Sequence, residues 1–149
     1  MHAFSSDPTR ELWLGLVHLA GEPGLEGHSD ADVVTHALCD ALLGAANLGD
    51  LGRHFSDEDP INKGVASRVI LSDVLALVQR AGWDVESADV TIVAQRPRLV
   101  THMAAMSQAL GELVHTSVSV KATTTDGLGS IGRGEGIAAS AVVLLRERP

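Results

Sequence analysis

Residues 28–43 constrain this chain more than any other stretch. His28-Ser29-Asp30-Ala31-Asp32 is polar, and the residues after it turn helical at once. Val33, Ala37, Ala41 and Leu42 recur at helical spacing and form one apolar stripe. Asp30 or Ser29 is placed to cap this helix, with Asp32 in its first turn, where the dipole favours an anion. Asp32, His36 and Asp40 are four apart and rise along one face. His28 and Ser29 precede the first turn, where backbone N–H groups free at a helix start make an anion site. A single imidazole on a helix is usually solvated or packed. His36 has carboxylates beside it, and a ligating imidazole needs a partner for its other nitrogen. Asp32 or Asp40 would be that partner.

At 149 residues the chain reads as one domain, 1–149, long enough to bury a core. With 45% hydrophobic and 20% charged residues its composition is that of an ordinary globular protein. The net charge of −8, with no basic cluster, argues against a nucleic-acid partner. No apolar run reaches transmembrane length and the first residues do not form a signal peptide, so no membrane partner is expected. One cysteine, Cys39, allows no disulfide within the chain and suits a reducing cytoplasm. Its place on the apolar side of the helix suits small buried filler better than a nucleophile.

Apolar alternation over 12–17 predicts a strand. The loop 21–24 then delivers the chain to His28. Gly49 and Gly52 mark an irregular segment with several acids, read by spacing alone as a solvated loop with a capping Asp. A second helix is expected over 65–81, with Val69, Val74, Leu77, Val78 and Ala81 inward and Gly82 at C′. A strand over 89–94 should stop at Pro97, which lacks an N–H and pushes Arg96 toward extended geometry. A third helix is expected over 100–113, with Met103, Met106, Leu110 and Leu113 as core filler. Val118, Val120 and Ala122 mark another strand, running into Thr123-Thr124-Thr125-Asp126. Threonines suit a strand end as such. Hydroxyls, an acid and glycines there also suit a diphosphate and a divalent cation. A last strand is expected over 138–145. The alternation reads as an α/β (α+β) sandwich, helices over one sheet.

Several motifs recur in one family's order. They are His28-Ser29-Asp30-x-Asp32 with His36-Ala37-Leu38-Cys39-Asp40-Ala41-Leu42-Leu43; Asp50-Leu51-Gly52 with Phe55-x-Asp57-x-Asp59; Ala94-Gln95-x-Pro97-Arg98; Lys121-Ala122-Thr123-Thr124-Thr125-Asp126; and Gly132-Arg133-Gly134-Glu135-Gly136. Over nearly its whole length the chain resembles the 2-C-methyl-D-erythritol 2,4-cyclodiphosphate synthases of the non-mevalonate isoprenoid pathway. The resemblance implies a mixed sheet with helices on one face and a homotrimer with active sites between subunits. It implies a cyclising lyase that converts 4-diphosphocytidyl-2-C-methyl-D-erythritol 2-phosphate to the 2,4-cyclodiphosphate and CMP. His28 and Thr124 match catalytic positions. His28 and Ser29 match substrate-binding positions, and Asp50, Leu51, Gly52, Phe55, Asp57 and Asp59 match positions at the erythritol phosphate. Ala94, Gln95, Pro97 and Arg98 match positions at the cytidine, Thr123 and Thr125 positions at the cytidine diphosphate end, and Thr124 and Asp126 further substrate-binding positions. Zinc is implied at His2 and His36, and magnesium or manganese at Asp126. Arg133 and Glu135 match positions facing the trimer axis, where an isoprenoid diphosphate is implied.

The sequence departs from the family pattern in places. Ser56 replaces a Pro, Arg98 a Lys, Asp126 a Glu and Ser130 an aromatic residue. The family's zinc site also uses an Asp two residues before the position of His2, on a first strand; both are expected to be missing, encoded upstream of Met1. The alternative is a non-catalytic trimeric homologue that binds an isoprenoid or nucleotide diphosphate. A hydrolytic zinc enzyme is a weaker third reading, because no general base is in place.

Overall fold

The computed structural model describes residues 1–56 and 64–148. Its elements run β1 (His2–Ala3), β2 (Glu11–Leu14), β3 (Val17–Pro23), α1 (Val33–Ala45), α2 (Leu51–His54), α3 (Ser67–Arg80), β4 (Trp83–Val93), α4 (Met103–Val114), β5 (Val118–Thr123), α5 (Gly129–Gly132) and β6 (Gly136–Glu147). The main sheet has the order β1-β6-β4-β5. β4 and β5 are parallel, and the other neighbours are antiparallel, so the sheet is mixed as expected. Along β4, Ala88, Val90 and Ile92 point into the core with the buried faces of α1, α3 and α4, while Val142 and Leu144 of β6 are 70% and 59% exposed. The helices therefore cover one face only.

Residues 12–17 are not one strand. β2 and β3 form a separate hairpin with a two-residue turn at Gly15 and Leu16, both at positive φ (57° and 66°). Two positive φ values match the right-handed twist of the strands that such a turn joins. The strand β3 also absorbs Gly21, Glu22 and Pro23, which the sequence suggests are loop. β4 starts six residues earlier than expected, because pairing with β6 extends it back to Trp83.

The helices fall close to their expected places. α3 begins at Ser67 rather than 65 and ends at Arg80, and Val69 is 51% exposed rather than buried. Its buried row is Ile70, Leu71, Val74, Leu75 and Val78. α4 begins at Met103, and Met106 and Leu110 are fully buried. Cys39 is buried filler in α1. The first strand is not wholly missing either. His2 and Ala3 pair with Ile137 and Gly136 of β6. A Cβ on Gly136 would lie 2.3 Å from the His2 carbonyl oxygen, so the close approach of β1 requires glycine.

Candidate active site

The start of α1 differs from the expectation. Asp32, fully buried, is the N-cap itself. Its carboxylate accepts from the backbone N–H groups of Val34 and Thr35, from the Thr35 hydroxyl, and from the amides of Gly15 and Leu16 across the hairpin turn. Ser29 Oγ accepts from Ala31 N and Asp30 Oδ1 from Asp32 N. The amides expected to be open to an anion are thus held by the chain's own side chains.

Asp32 and Asp40 are not the partners of His36. Asp32 is used up on the cap and the turn, and Asp40 Oδ1 accepts from Leu51 N at 2.8 Å. The Nε2 atom of His36 instead meets Ser67 Oγ at 3.0 Å and Ser29 Oγ at 3.2 Å. Its Nδ1 lies 3.4 Å from Nε2 of His2, delivered by β1. Burial pushes the His36 imidazole below its ordinary pKa, against the opposing pull of Asp32, Asp30 and Asp40. The neutral form that a metal requires is favoured. Ser67 went unnoticed in the sequence; its only signal was a hydroxyl at the start of α3. Arg10 was also missed. It donates to the Ser29 carbonyl at 2.9 Å and fixes the loop that carries His28.

His2, His28, Ser29, His36, Leu51, Gly52 and Phe55 line a single cleft of about 740 Å³. Asp50, the residue before Leu51, is the N-cap of α2 and accepts from Arg53 N; it is not among the lining residues. Asp57 and Asp59 lie outside the described residues. Among the described residues lining the cleft there is no Lys or Arg, while Glu26 and Asp40 are acidic.

A second group lies at the C-terminal ends of β4 and β5. Ala94 N donates to the Thr123 carbonyl at 3.0 Å, which brings Ala94, Gln95, Pro97 and Arg98 beside Thr123, Thr124, Thr125 and Asp126. Asp126, at φ 52°, folds back so that its amide donates to Thr124 Oγ1 and its carboxylate accepts from that hydroxyl. Thr125 Oγ1 donates to the Leu128 carbonyl at 2.6 Å. Arg96, noted in the sequence only as the residue before Pro97, stacks over Phe4 at 4.5 Å and donates to the Gly134 carbonyl. Arg133 pairs with Glu135 at 2.6 Å on the exposed side of the glycine turn.

The two groups share one end of the sheet but not one edge. Thr123, Val93 and Ala138 are in register across β5, β4 and β6, and His2 pairs one residue away at Ile137. Three strand spacings separate β1 from β5, about 14 Å.

The model of the YgbB family matches residues 1–146. The chain belongs to the YgbB family. A 2-C-methyl-D-erythritol 2,4-cyclodiphosphate synthase from Syntrophobacter fumaroxidans is 52% identical, over 98% of this chain and 92% of that relative. A solved structure of bifunctional IspDF from Campylobacter jejuni is 37% identical at a TM-score of 0.92, covering 98% of this chain and 40% of that one. A synthase structure described as a CDP-bound form is 33% identical at a TM-score of 0.86, covering 97% and 95%. The mixed sheet with helices on one face is the fold of this family. The alternative of a non-catalytic binding homologue finds no support among these relatives. Among the described residues no helix is long and apolar enough to cross a membrane.

Proposed function

We propose that the chain acts as a 2-C-methyl-D-erythritol 2,4-cyclodiphosphate synthase, a lyase of the isoprenoid pathway. The observation that carries this reading is the cleft joining His2, His28, Ser29 and His36, in a chain 52% identical over nearly its full length to a relative of that name. The nucleophile is the 2-phosphate of the substrate itself. One of its oxygens attacks the β-phosphorus, the bond to the α-phosphate breaks, and CMP leaves with that bridging oxygen. The protein needs no nucleophile of its own, so catalysis is positioning plus electrostatic stabilisation.

The chemistry of the donors fits a zinc ion. Two imidazole nitrogens bound at 2.0–2.1 Å to a tetrahedral zinc stand about 3.3–3.4 Å apart. His2 Nε2 and His36 Nδ1 stand 3.4 Å apart. The described lining holds Glu26 and Asp40 and no Lys or Arg, so a bound cation would help the cleft receive a phosphate. His2 and His36 would hold zinc. Among the described residues no group of three or more His, Cys, Asp or Glu is set to hold a metal, so further ligands come from elsewhere. Asp126 and the Thr124 hydroxyl offer hard oxygen donors and would hold magnesium or manganese. Metals bound at these places would supply Lewis-acid charge neutralisation.

The chain's own groups do the rest. His28 and Ser29 face the erythritol phosphate side of the cleft, with Leu51, Gly52 and Phe55 excluding water and Asp50, Asp57 and Asp59 contacting the polyol. Thr123, Thr124 and Thr125 donate hydroxyls to the cytidine diphosphate. Ala94, Gln95, Pro97 and Arg98 surround the cytidine end, Arg98 adding a fixed positive fork. Thr124 and His28 stabilise charge as the new P–O bond forms.

This reading includes a homotrimer. The zinc group and the diphosphate group lie at opposite sheet edges, and a second copy placing its β5 end against this copy's β1 side would complete a site. The exposed Val142 and Leu144 give the uncovered sheet face an apolar surface to bury. Arg133 and Glu135 would lie toward the threefold axis, where an isoprenoid diphosphate would bind. The test of the function is CMP release from the diphosphocytidyl substrate by the purified chain. His36→Ala should abolish CMP release and bound zinc together while the helix persists, since Ala is a good helix former. Retained zinc with normal turnover in that variant would reduce His36 to a packing residue.

A further inference from the structure

His36 meets different chemistry at its two nitrogens. Nδ1 faces His2, and Nε2 faces the hydroxyls of Ser67 and Ser29. The hydroxyl of Ser67 also contacts Asp30 Oδ1, and the Ser67 amide donates to Asp30 Oδ2 at 2.8 Å. An ionised carboxylate only accepts. The single Ser67 hydroxyl proton therefore goes to Asp30, and Ser67 Oγ meets His36 as an acceptor. The Ser67 lone pair, at 3.0 Å closer to Nε2 than Ser29 Oγ at 3.2 Å, takes an N–H from His36 Nε2, which leaves the Nδ1 lone pair aimed at the place between the two histidines.

We infer that Ser67 and Asp30 are positioning residues: the relay from Asp30 through Ser67 to His36 Nε2 fixes the tautomer and the aim of the His36 ligand atom. This rests on the reading that His36 holds a metal. Ser67 is fully buried at the first position of α3, and Asp30 precedes α1, so the relay ties two helices to one ring orientation. Neither Asp of α1 is available for the task, because Asp32 holds the hairpin turn and Asp40 holds Leu51. The Asp30 charge, passed on through the hydroxyl, also makes Nδ1 a stronger donor to a metal.

The test uses the full chain, first stripped of metal and labelled with nitrogen-15 at histidine. The imidazole spectrum should show His36 protonated at Nε2 and bare at Nδ1. Asp30→Asn should reverse this. Seating the amide oxygen on the Ser67 N–H, at 2.8 Å the closer of the two backbone donors (Asp32 N is 3.3 Å from Oδ1), turns the amide NH2 toward Ser67 Oγ, to which it donates. Ser67 then donates to Nε2, and the proton moves to Nδ1. Zinc competition against a chelator should show affinity about 10–100-fold weaker in Ser67→Ala, with an unchanged far-UV circular dichroism spectrum. A wild-type His36 protonated at Nδ1, or Ser67→Ala binding zinc as tightly as the wild type, would overturn the relay. Wild-type protein that binds no zinc would contradict the proposed metal site instead, and the metal-free spectrum would still decide the relay.

Discussion

Asp32 shows how much one side chain can determine. Five donors converge on its buried carboxylate: three from the start of α1 and two from the β2–β3 turn. Asp32→Ala leaves those donors without partners, and each buried unpaired donor costs about 1–3 kcal/mol. Urea unfolding should show a loss of at least about 3 kcal/mol, and a loss under 1 kcal/mol would mean that water replaces the carboxylate. Cys39 supplies a pH test. Burial pushes its thiol well above the ordinary value near 9.0, with Asp32 and Asp40 adding to the shift. In the unfolded chain the thiol ionises near its ordinary pKa, but in the folded chain it stays protonated. Above that pH the folded state binds more protons than the unfolded one, so stability falls as pH rises. Native Cys39 should resist iodoacetamide at pH 8 and react only as fast as the chain opens. The same residues show what the sequence made legible. His36 and Asp32 stood out by spacing, but spacing along one helix cannot say which carboxylate serves a turn 17 residues earlier. Ser67 is 31 residues from His36, and the contact depends on how α3 packs against α1.

Elements place the proposed ligands, and β1 is the most exposed to change. It holds His2 through only two paired residues, and that pairing depends on Gly136 having no side chain. Gly136→Ala should displace β1 and weaken zinc binding by at least tenfold. Circular dichroism of the rest of the sheet should stay unchanged. Unaltered zinc affinity would show that β1 accommodates a Cβ by shifting elsewhere. At this scale the sequence was informative where local signals agree: the stripes of α1, α3 and α4, Gly82 after α3, and the alternation of β4. It misled at residues 12–17, where two strands and their turn share one apolar run. Neither Leu16 nor Gly15 advertises a hairpin turn as Asn-Gly would. What fixes the turn there is the distant Asp32 carboxylate, which the local pattern does not contain.

The whole molecule presents the His2–His36 group and the Thr123–Asp126 group toward opposite edges of one sheet, and the proposed trimer would join them. Val142→Asp on the exposed sheet face should shift the chain toward monomer in sedimentation and lower CMP release with it. His36→Ala and Thr124→Ala chains should each be inactive alone, yet regain activity when co-assembled. With random assortment about a quarter of the interface sites would carry both intact groups, so activity should return to about a quarter of wild type. No regain in verified mixed oligomers would place both residues in one subunit's site. The most direct measurement of the central claim follows the products of the wild-type chain by phosphorus NMR. The chain is incubated with 4-diphosphocytidyl-2-C-methyl-D-erythritol 2-phosphate, zinc and magnesium. The account predicts CMP and the 2,4-cyclodiphosphate in equal amounts, with no inorganic phosphate. A linear product from attack by water, or intact substrate after prolonged incubation with metal-loaded protein, would contradict it.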